Sequence, residues 1–188
     1  PRERASRALL ELPRKQAIAA AAAQLVGDDS VVFLDAGTTC EALVPHIALR
    51  RDVTIVTNDF FAVATLRGYP SIQTIHTGGA VDAASGSATG PLAAATLGAL
   101  AIDVAFLSTG AWDRAHGVTT PELDKLTLKR AAMDAASVCV LVADSTKYGA
   151  SERFKVAPLD AFDVVVTDDG LDEIAAADLR DRGVDLRS

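Results

Sequence analysis

Short apolar runs alternate along this chain with stretches of helical spacing, and most runs halt at a small or polar residue. The runs Val31–Asp35, Val53–Thr57, Ile72–His76, Ile102–Leu107, Val138–Ala143 and Asp163–Thr167 are rich in Val, Ile and Leu. Near-continuous apolarity over so few residues predicts strands buried on both faces. Helices are predicted between them, over Arg14–Val26, Cys40–Leu49, Phe60–Leu66, Pro91–Ala101, Pro121–Ala136 and Leu171–Arg182. Pro13 and Gly27 bracket the first of these, and Pro45 should kink the second. Thr120 supplies a hydroxyl cap, Pro121 a first helical position and Glu122 an acid in the first turn. Val81–Gly90 reads as a loop or irregular edge strand, Ser108–Thr120 as a long polar connection, and Val184–Leu186 as an edge strand. This alternation predicts an α/β fold, a mostly parallel sheet flanked by helices.

A length of 188 residues fits one domain. Hydrophobic residues make up 49% but aromatics only 5%, and the preponderance of Ala suits close packing of helices on a sheet. The net charge of −7 repels phosphate backbones, which argues against nucleic acid binding by these residues themselves. Arg2, Arg4, Arg7, Arg14 and Lys15 are a local exception. They read either as a solvated helix face or as the continuation of something upstream. Because the chain opens on Pro1, residues 1–13 are expected to be a linker and residues 14–188 the domain. No apolar run is long enough to cross a bilayer and no leader pattern is evident, so a cytoplasmic location without a membrane partner is expected. Cys40 and Cys139 lie far apart, and His46, His76 and His116 lack metal-ligand spacing. Free buried thiols and no metal or cofactor are therefore expected.

Candidate chemistry gathers where the strands end. Gly37, Thr38 and Thr39 follow a strand and open a helix, where backbone amides attract anions. The same residues also make an ordinary turn with a Thr cap. No G-x-G-x-x-G pattern or Walker lysine accompanies them, so a nucleotide is unsupported. Thr57 and Asn58 end a second strand, Gly78 and Gly79 a third; Asn suits sugar hydroxyls, although each pair is also common turn chemistry. In a parallel sheet Asp35, Asn58, Gly78, the Ser108–Gly110 turn and the Asp144–Ser145 turn share one edge. Lys147, just past a buried strand, reads as an anion partner reaching back over it. Glu122, Asp124 and Lys129, on the helix after the polar segment, are either surface charge pairs or ligand contacts.

Taken in order, Phe33–Thr39, Val53–Asn58, Gly78–Gly79, Gly90–Leu92, Asp103–Leu107, Gly117–Pro121, Leu128–Arg130, Ala143–Lys147 and Val166–Gly170 resemble the C-terminal effector-binding domain of DeoR-family transcriptional regulators. The resemblance implies a fold like those of ribose-5-phosphate isomerase, glucosamine-6-phosphate deaminase and the CoA transferases. It also implies a phosphorylated sugar or related metabolite as effector, usually in a repressor. DNA would be bound by an upstream winged helix-turn-helix that is absent from these residues. The predicted effector contacts are Asp35, Gly37, Thr38, Thr39, Thr57, Asn58, Gly78, Gly79, Gly110, Glu122, Asp124, Lys129, Asp144, Ser145 and Lys147. The bulky segment Trp112–His116 is expected to alter effector choice. Operator symmetry and the Ala-rich helices suggest a homodimer or homotetramer.

Enzymes of the same fold are the rival reading. Isomerases of this kind need a carboxylate base, and the corresponding position here is Lys129. The segment resembling their D-G-A-D turn reads Thr109, Gly110, Ala111, Trp112, without either acid. A binding site without catalytic residues is the expectation, with an isomerase, an aminosugar-phosphate deaminase or a CoA-transferase-like subunit as alternatives.

Overall fold

The computed structural model describes residues 10–188. Among these residues, seven strands form one wholly parallel sheet: β1 (Val31–Leu34), β2 (Thr54–Thr57), β3 (Gln73–His76), β6 (Ile102–Ser108), β9 (Ala136–Val142), β11 (Val164–Val166) and β12 (Leu186–Arg187). Their order across the sheet is β12-β11-β9-β6-β1-β2-β3. From β1 the chain winds outward through β2 to β3, then crosses to β6 on the other side of β1 and winds outward again. The reversal lies between β1 and β6, and a crevice opens at such a switch point beyond the carboxyl ends of the strands.

Alternation along the strands divides the core in two. Val32, Leu34, Val104, Phe106, Val140 and Val142 face α1 (Leu12–Ala22) and the two short helices α2 (Thr38–Glu41) and α3 (Val44–Ile47). Phe33, Ala105, Leu107 and Leu141 face α5 (Gly90–Gly98) and α6 (Leu123–Ala135) on the other side. Burial on both faces is why these runs carry no alternating polar residues. Phe60–Leu66 forms α4 and Glu173–Asp181 forms α7.

Several expectations need correction. Cys40–Leu49 is not one kinked helix; the break falls at Ala42–Leu43, and Pro45 sits in the first turn of α3, where its missing N–H costs nothing. Val81–Gly90 folds as an antiparallel hairpin, β4 (Ala80–Asp82) with β5 (Ser87–Thr89). The polar segment Ser108–Thr120 contains a second hairpin, β7 (Ala111–Asp113) with β8 (Gly117–Thr120), and β10 (Phe154–Ala157) extends it to three strands. Thr120 closes β8 rather than capping α6, whose N-cap is Glu122 without a side-chain bond. The linker assigned to residues 1–13 lies outside the described residues up to residue 9; from Leu12 the chain is already helical. Both cysteines are free and buried, and burial pushes the Cys139 thiol up to about 11.

Candidate functional site

The crevice at the β1–β6 switch point is tied together by one carboxylate. Asp35, 3% exposed, accepts hydrogen bonds from the Ala36 amide at 2.9 Å and the Ser108 amide at 3.1 Å. Its second oxygen also receives the Lys129 ammonium, which donates in addition to the Ser108 carbonyl at 2.6 Å. Lys129 reaches this point from the buried face of α6, next to Leu128 and about one helical turn before Ala132 of the core. Ser108 donates its hydroxyl to the Ala36 carbonyl at 2.7 Å, so the ends of β1 and β6 are laced from both sides.

Gly37 follows, with φ of 153°. A Cβ there would stand 2.7 Å from the Ser108 hydroxyl, so only glycine lets the two strand ends approach. The Gly37 amide donates to Asp59 at 3.0 Å, and Asp59 also caps α4 through the Phe61 amide at 2.8 Å. Among the described residues, the amides and hydroxyls of Thr38 and Thr39 have no partner within the chain. They open toward a cavity of about 600 Å³ above the sheet edge. Asn58 enters the same cavity; its amide nitrogen donates to the Ala88 carbonyl at 3.0 Å, while its buried carbonyl oxygen has no partner.

The opposite wall comes from β9 and the turn after it. Asp144, 1% exposed, accepts from the Thr146 hydroxyl and, at 3.0 Å, from the Lys147 ammonium. Burial pushes its carboxyl up, but the Lys147 charge, the Thr146 and Lys147 hydrogen bonds and the charge of Lys15 outweigh that and hold it below the ordinary value. Trp112 lies beneath. Fully buried, it donates its indole N–H to the Asp144 carbonyl at 3.3 Å and meets Tyr148 edge-on at 4.8 Å. Trp112 is thus core and supports Asp144 from below, and none of Trp112–His116, the segment expected to alter effector choice, lines the cavity.

Nine of the fifteen predicted contacts come together on this cavity: Asp35, Gly37, Thr38, Thr39, Asn58, Gly110, Lys129, Asp144 and Lys147. Six do not. The Thr57 hydroxyl donates to the Leu34 carbonyl at 2.7 Å and is consumed in joining β1 to β2. Gly78 and Gly79 belong to the sheet's outer side, where Gly79 packs against Thr89 and Ala93. Glu122 turns to Lys125 at 3.0 Å, and Asp124 lies exposed beside Gly90. Ser145 faces away, bonded to Asp168 at 2.8 Å and to Arg14 at 2.9 Å.

Residues that sequence reasoning passed over complete the lining. Ser85 and Ser87 come from the β4–β5 hairpin, Thr119 and Thr120 from β8, Lys125 from α6, and Glu152 from the loop before β10. Leu10, Glu11 and Lys15 close one side. Lys15 belongs to the basic cluster read as a solvated face, yet it is 4% exposed. A signal was present: Lys15, Ile18, Ala19 and Ala22 follow the i, i+3, i+4, i+7 spacing of a buried stripe. The cavity is thus no bare basic pocket. Lys125 holds Asp82 at 2.8 Å, Lys129 holds Asp35, Lys147 holds Asp144, and Lys15 donates to the Leu10 carbonyl at 2.6 Å. An ammonium carries three donors, so the pairs of Lys125, Lys129 and Lys147 leave capacity for a ligand oxygen.

Comparison with known proteins gives a consistent result. A model of the family described as the DeoR C terminal sensor domain matches residues 11–169. The HTH-type transcriptional regulator YgbI of Escherichia coli K12 is 43% identical over 167 residues, 89% of this chain and 65% of that protein. An HTH-type transcriptional regulator of Haemophilus influenzae is 36% identical over 180 residues, 96% of this chain and 70% of its own length. The chain therefore spans roughly two thirds of these relatives. Among solved structures, the ribose 5-phosphate isomerase of Methanocaldococcus jannaschii superposes with a TM-score of 0.52 at 18% identity, covering 71% of this chain and 53% of the isomerase. At that identity the likeness concerns the fold.

Proposed function

The chain belongs to the family of DeoR C-terminal sensor domains, and from that premise we propose that its cleft binds a phosphorylated sugar or a related polyhydroxylated phosphate ester. Binding there would control an upstream winged helix-turn-helix that contacts operator DNA, most simply as a repressor in the cytoplasm. The observation that carries this reading is the composition of the cavity at the strand ends. It combines unpartnered hydroxyls and amides on Thr38 and Thr39, the unpartnered oxygen of Asn58, and the ammonium groups of Lys129 and Lys147. Hydroxyls and amides suit a sugar, and charge-assisted donors suit a phosphate. A volume of about 600 Å³ admits a small metabolite of this class.

The same chemistry argues against turnover. Aldose–ketose isomerisation requires a base at the reacting carbon. The buried carboxylates facing the cavity, Asp35 and Asp144, are each engaged by an ammonium and further donors. The other acids on its lining, Glu11 and Glu152, are exposed residues, the first paired with Arg14 at 3.0 Å. Glu122 and Asp124 lie off the cavity, and Lys129 stands where the resemblance to the isomerases would put their base. Operator recognition by paired half-sites supports a homodimer or homotetramer, which light scattering at micromolar concentration checks.

Melting curves test the central claim. Ribose 5-phosphate, fructose 6-phosphate and glucosamine 6-phosphate are compared with ribose, fructose and glucosamine. A phosphate ester that raises the melting temperature while its parent sugar does not is the expected outcome. Equal stabilisation by ester and sugar defeats the phosphate reading. Incubation in deuterated water separates sensor from enzyme: protein-dependent deuterium uptake at C1 or C2 would establish catalysis.

A further inference from the structure

The turn by which the chain enters the domain is itself a wall of the cleft. Leu10 and Glu11 line the cavity, and so does Lys15 in the first turn of α1. The Lys15 ammonium is buried and donates to the Leu10 carbonyl at 2.6 Å, holding the entering backbone over the helix start. Glu11, the N-cap residue, has φ of 53°, a left-handed conformation uncommon outside glycine. It marks the sharp reversal between Leu10 and α1. Arg14 fastens the same turn to the sheet: it donates to the Ser145 hydroxyl at 2.9 Å, lies 3.5 Å from Asp168, and pairs with Glu11 at 3.0 Å. Ser145 in turn donates to the Asp168 carboxylate from both its amide, at 2.7 Å, and its hydroxyl, at 2.8 Å. The next two residues, Thr146 and Lys147, face the cavity.

Building on the reading of this cleft as a phosphate-ester site, we propose that Lys15 is an effector-binding residue that grips the ligand and the Leu10 carbonyl together. Occupancy of the cleft is thereby transmitted to the Leu10–Lys15 turn, and through it to whatever the chain carries before residue 10. The Lys15 ammonium is bonded to the Leu10 carbonyl at the edge of the cavity. A ligand phosphate in the cavity is attracted to its charge, and that attraction favours the ammonium's present position over any that exposes it. Ligand binding therefore closes the turn onto the sheet edge. It leaves in place the second fastening, from Arg14 to Ser145 and Asp168, which sets the register of the turn with or without ligand.

Hydrogen exchange of the whole chain decides this, with inorganic phosphate, ribose 5-phosphate and fructose 6-phosphate as separate probes at saturating concentration. The expected result is slower exchange in two places: the cleft peptides containing Thr38–Thr39 and Thr146–Lys147, and the peptide covering residues 10–17. In Lys15→Gln, which keeps a donor but loses the charge, probe affinity should fall about tenfold or more. Slowing over 10–17 should disappear while the Thr38–Thr39 peptide stays protected at saturation. Protection of the cleft peptides with no change over 10–17 in the unmodified protein overturns this inference and leaves the cleft reading standing. No protection anywhere by any probe overturns both. The comparison in the unmodified protein decides the matter even if Lys15→Gln does not fold.

Discussion

Severing the Asp35–Lys129 pair should reveal whether the switch-point crevice is a structural knot as well as a binding surface. Asp35 is 3% and Lys129 7% exposed, so neither charge can turn to water when its partner is removed. Removing one member of a buried, hydrogen-bonded pair costs about 3–5 kcal/mol, mostly because the remaining charge is left uncompensated. Lys129→Met should stand toward the low end of that range. The Ala36 and Ser108 amides still serve Asp35, at 2.9 and 3.1 Å, whereas the Ser108 carbonyl loses its 2.6 Å partner. Asp35→Asn should cost a similar amount, since whichever way the amide is turned, its NH2 group faces donors that the carboxylate accepted. The double variant should recover part of the loss, because neither charge is then stranded, with a coupling of about 2–3 kcal/mol. Urea unfolding of the four proteins measures the cycle. Single variants that each cost under about 1 kcal/mol and add without coupling would refute the claim that this pair laces β1 to β6.

Lys147→Ala should weaken a phosphate ester about tenfold or more in titration calorimetry, because a charge-assisted donor on the cavity wall is lost; unchanged affinity would remove Lys147 from the site. Gly37→Ala should lower stability by about 1–3 kcal/mol in chemical unfolding, because its Cβ would sit 2.7 Å from the Ser108 hydroxyl. Adding Ser108→Gly should recover part of that cost, and no recovery would show the strain to lie in the backbone alone. Burial pushes the Asp82 carboxyl up, but hydrogen bonds from Lys125 and Ser85 bring it from 3.8 to about 2. Because the folded value lies below the unfolded one, the pair stabilises the fold above about pH 4 and loses that contribution as pH falls toward 2. Allowing for solvent screening, roughly 1–2 kcal/mol is at stake. Asp82→Asn should therefore flatten the acid side of the stability curve between those values, and an unchanged slope would contradict the assignment.

The sheet was legible because its strands are buried on both faces. Val31–Asp35, Ile102–Leu107 and Val138–Ala143 each read as an apolar run ending at or just before a polar residue, and Asp35, Ser108 and Asp144 all came to one edge. What the sequence did not disclose depends on partners distant in the chain. Trp112 read as part of a bulky polar segment because its burial is supplied by Tyr148 and the strand end at Asp144, more than thirty residues on. The β7–β8 hairpin was hidden because strands of three and four residues are too short to show a period, and their pairing with β10 is a tertiary fact. The missed Lys15 is the most instructive case. Its charge placed it with the arginines before it, while its helical spacing placed it with Ile18, Ala19 and Ala22. Period outranked charge, because a helix cannot rotate one residue out of a stripe that three apolar neighbours bury. A lysine confined to such a face must find acceptors there. At the open end of a parallel sheet those acceptors are backbone carbonyls, a buried carboxylate and, on the reading proposed here, the effector.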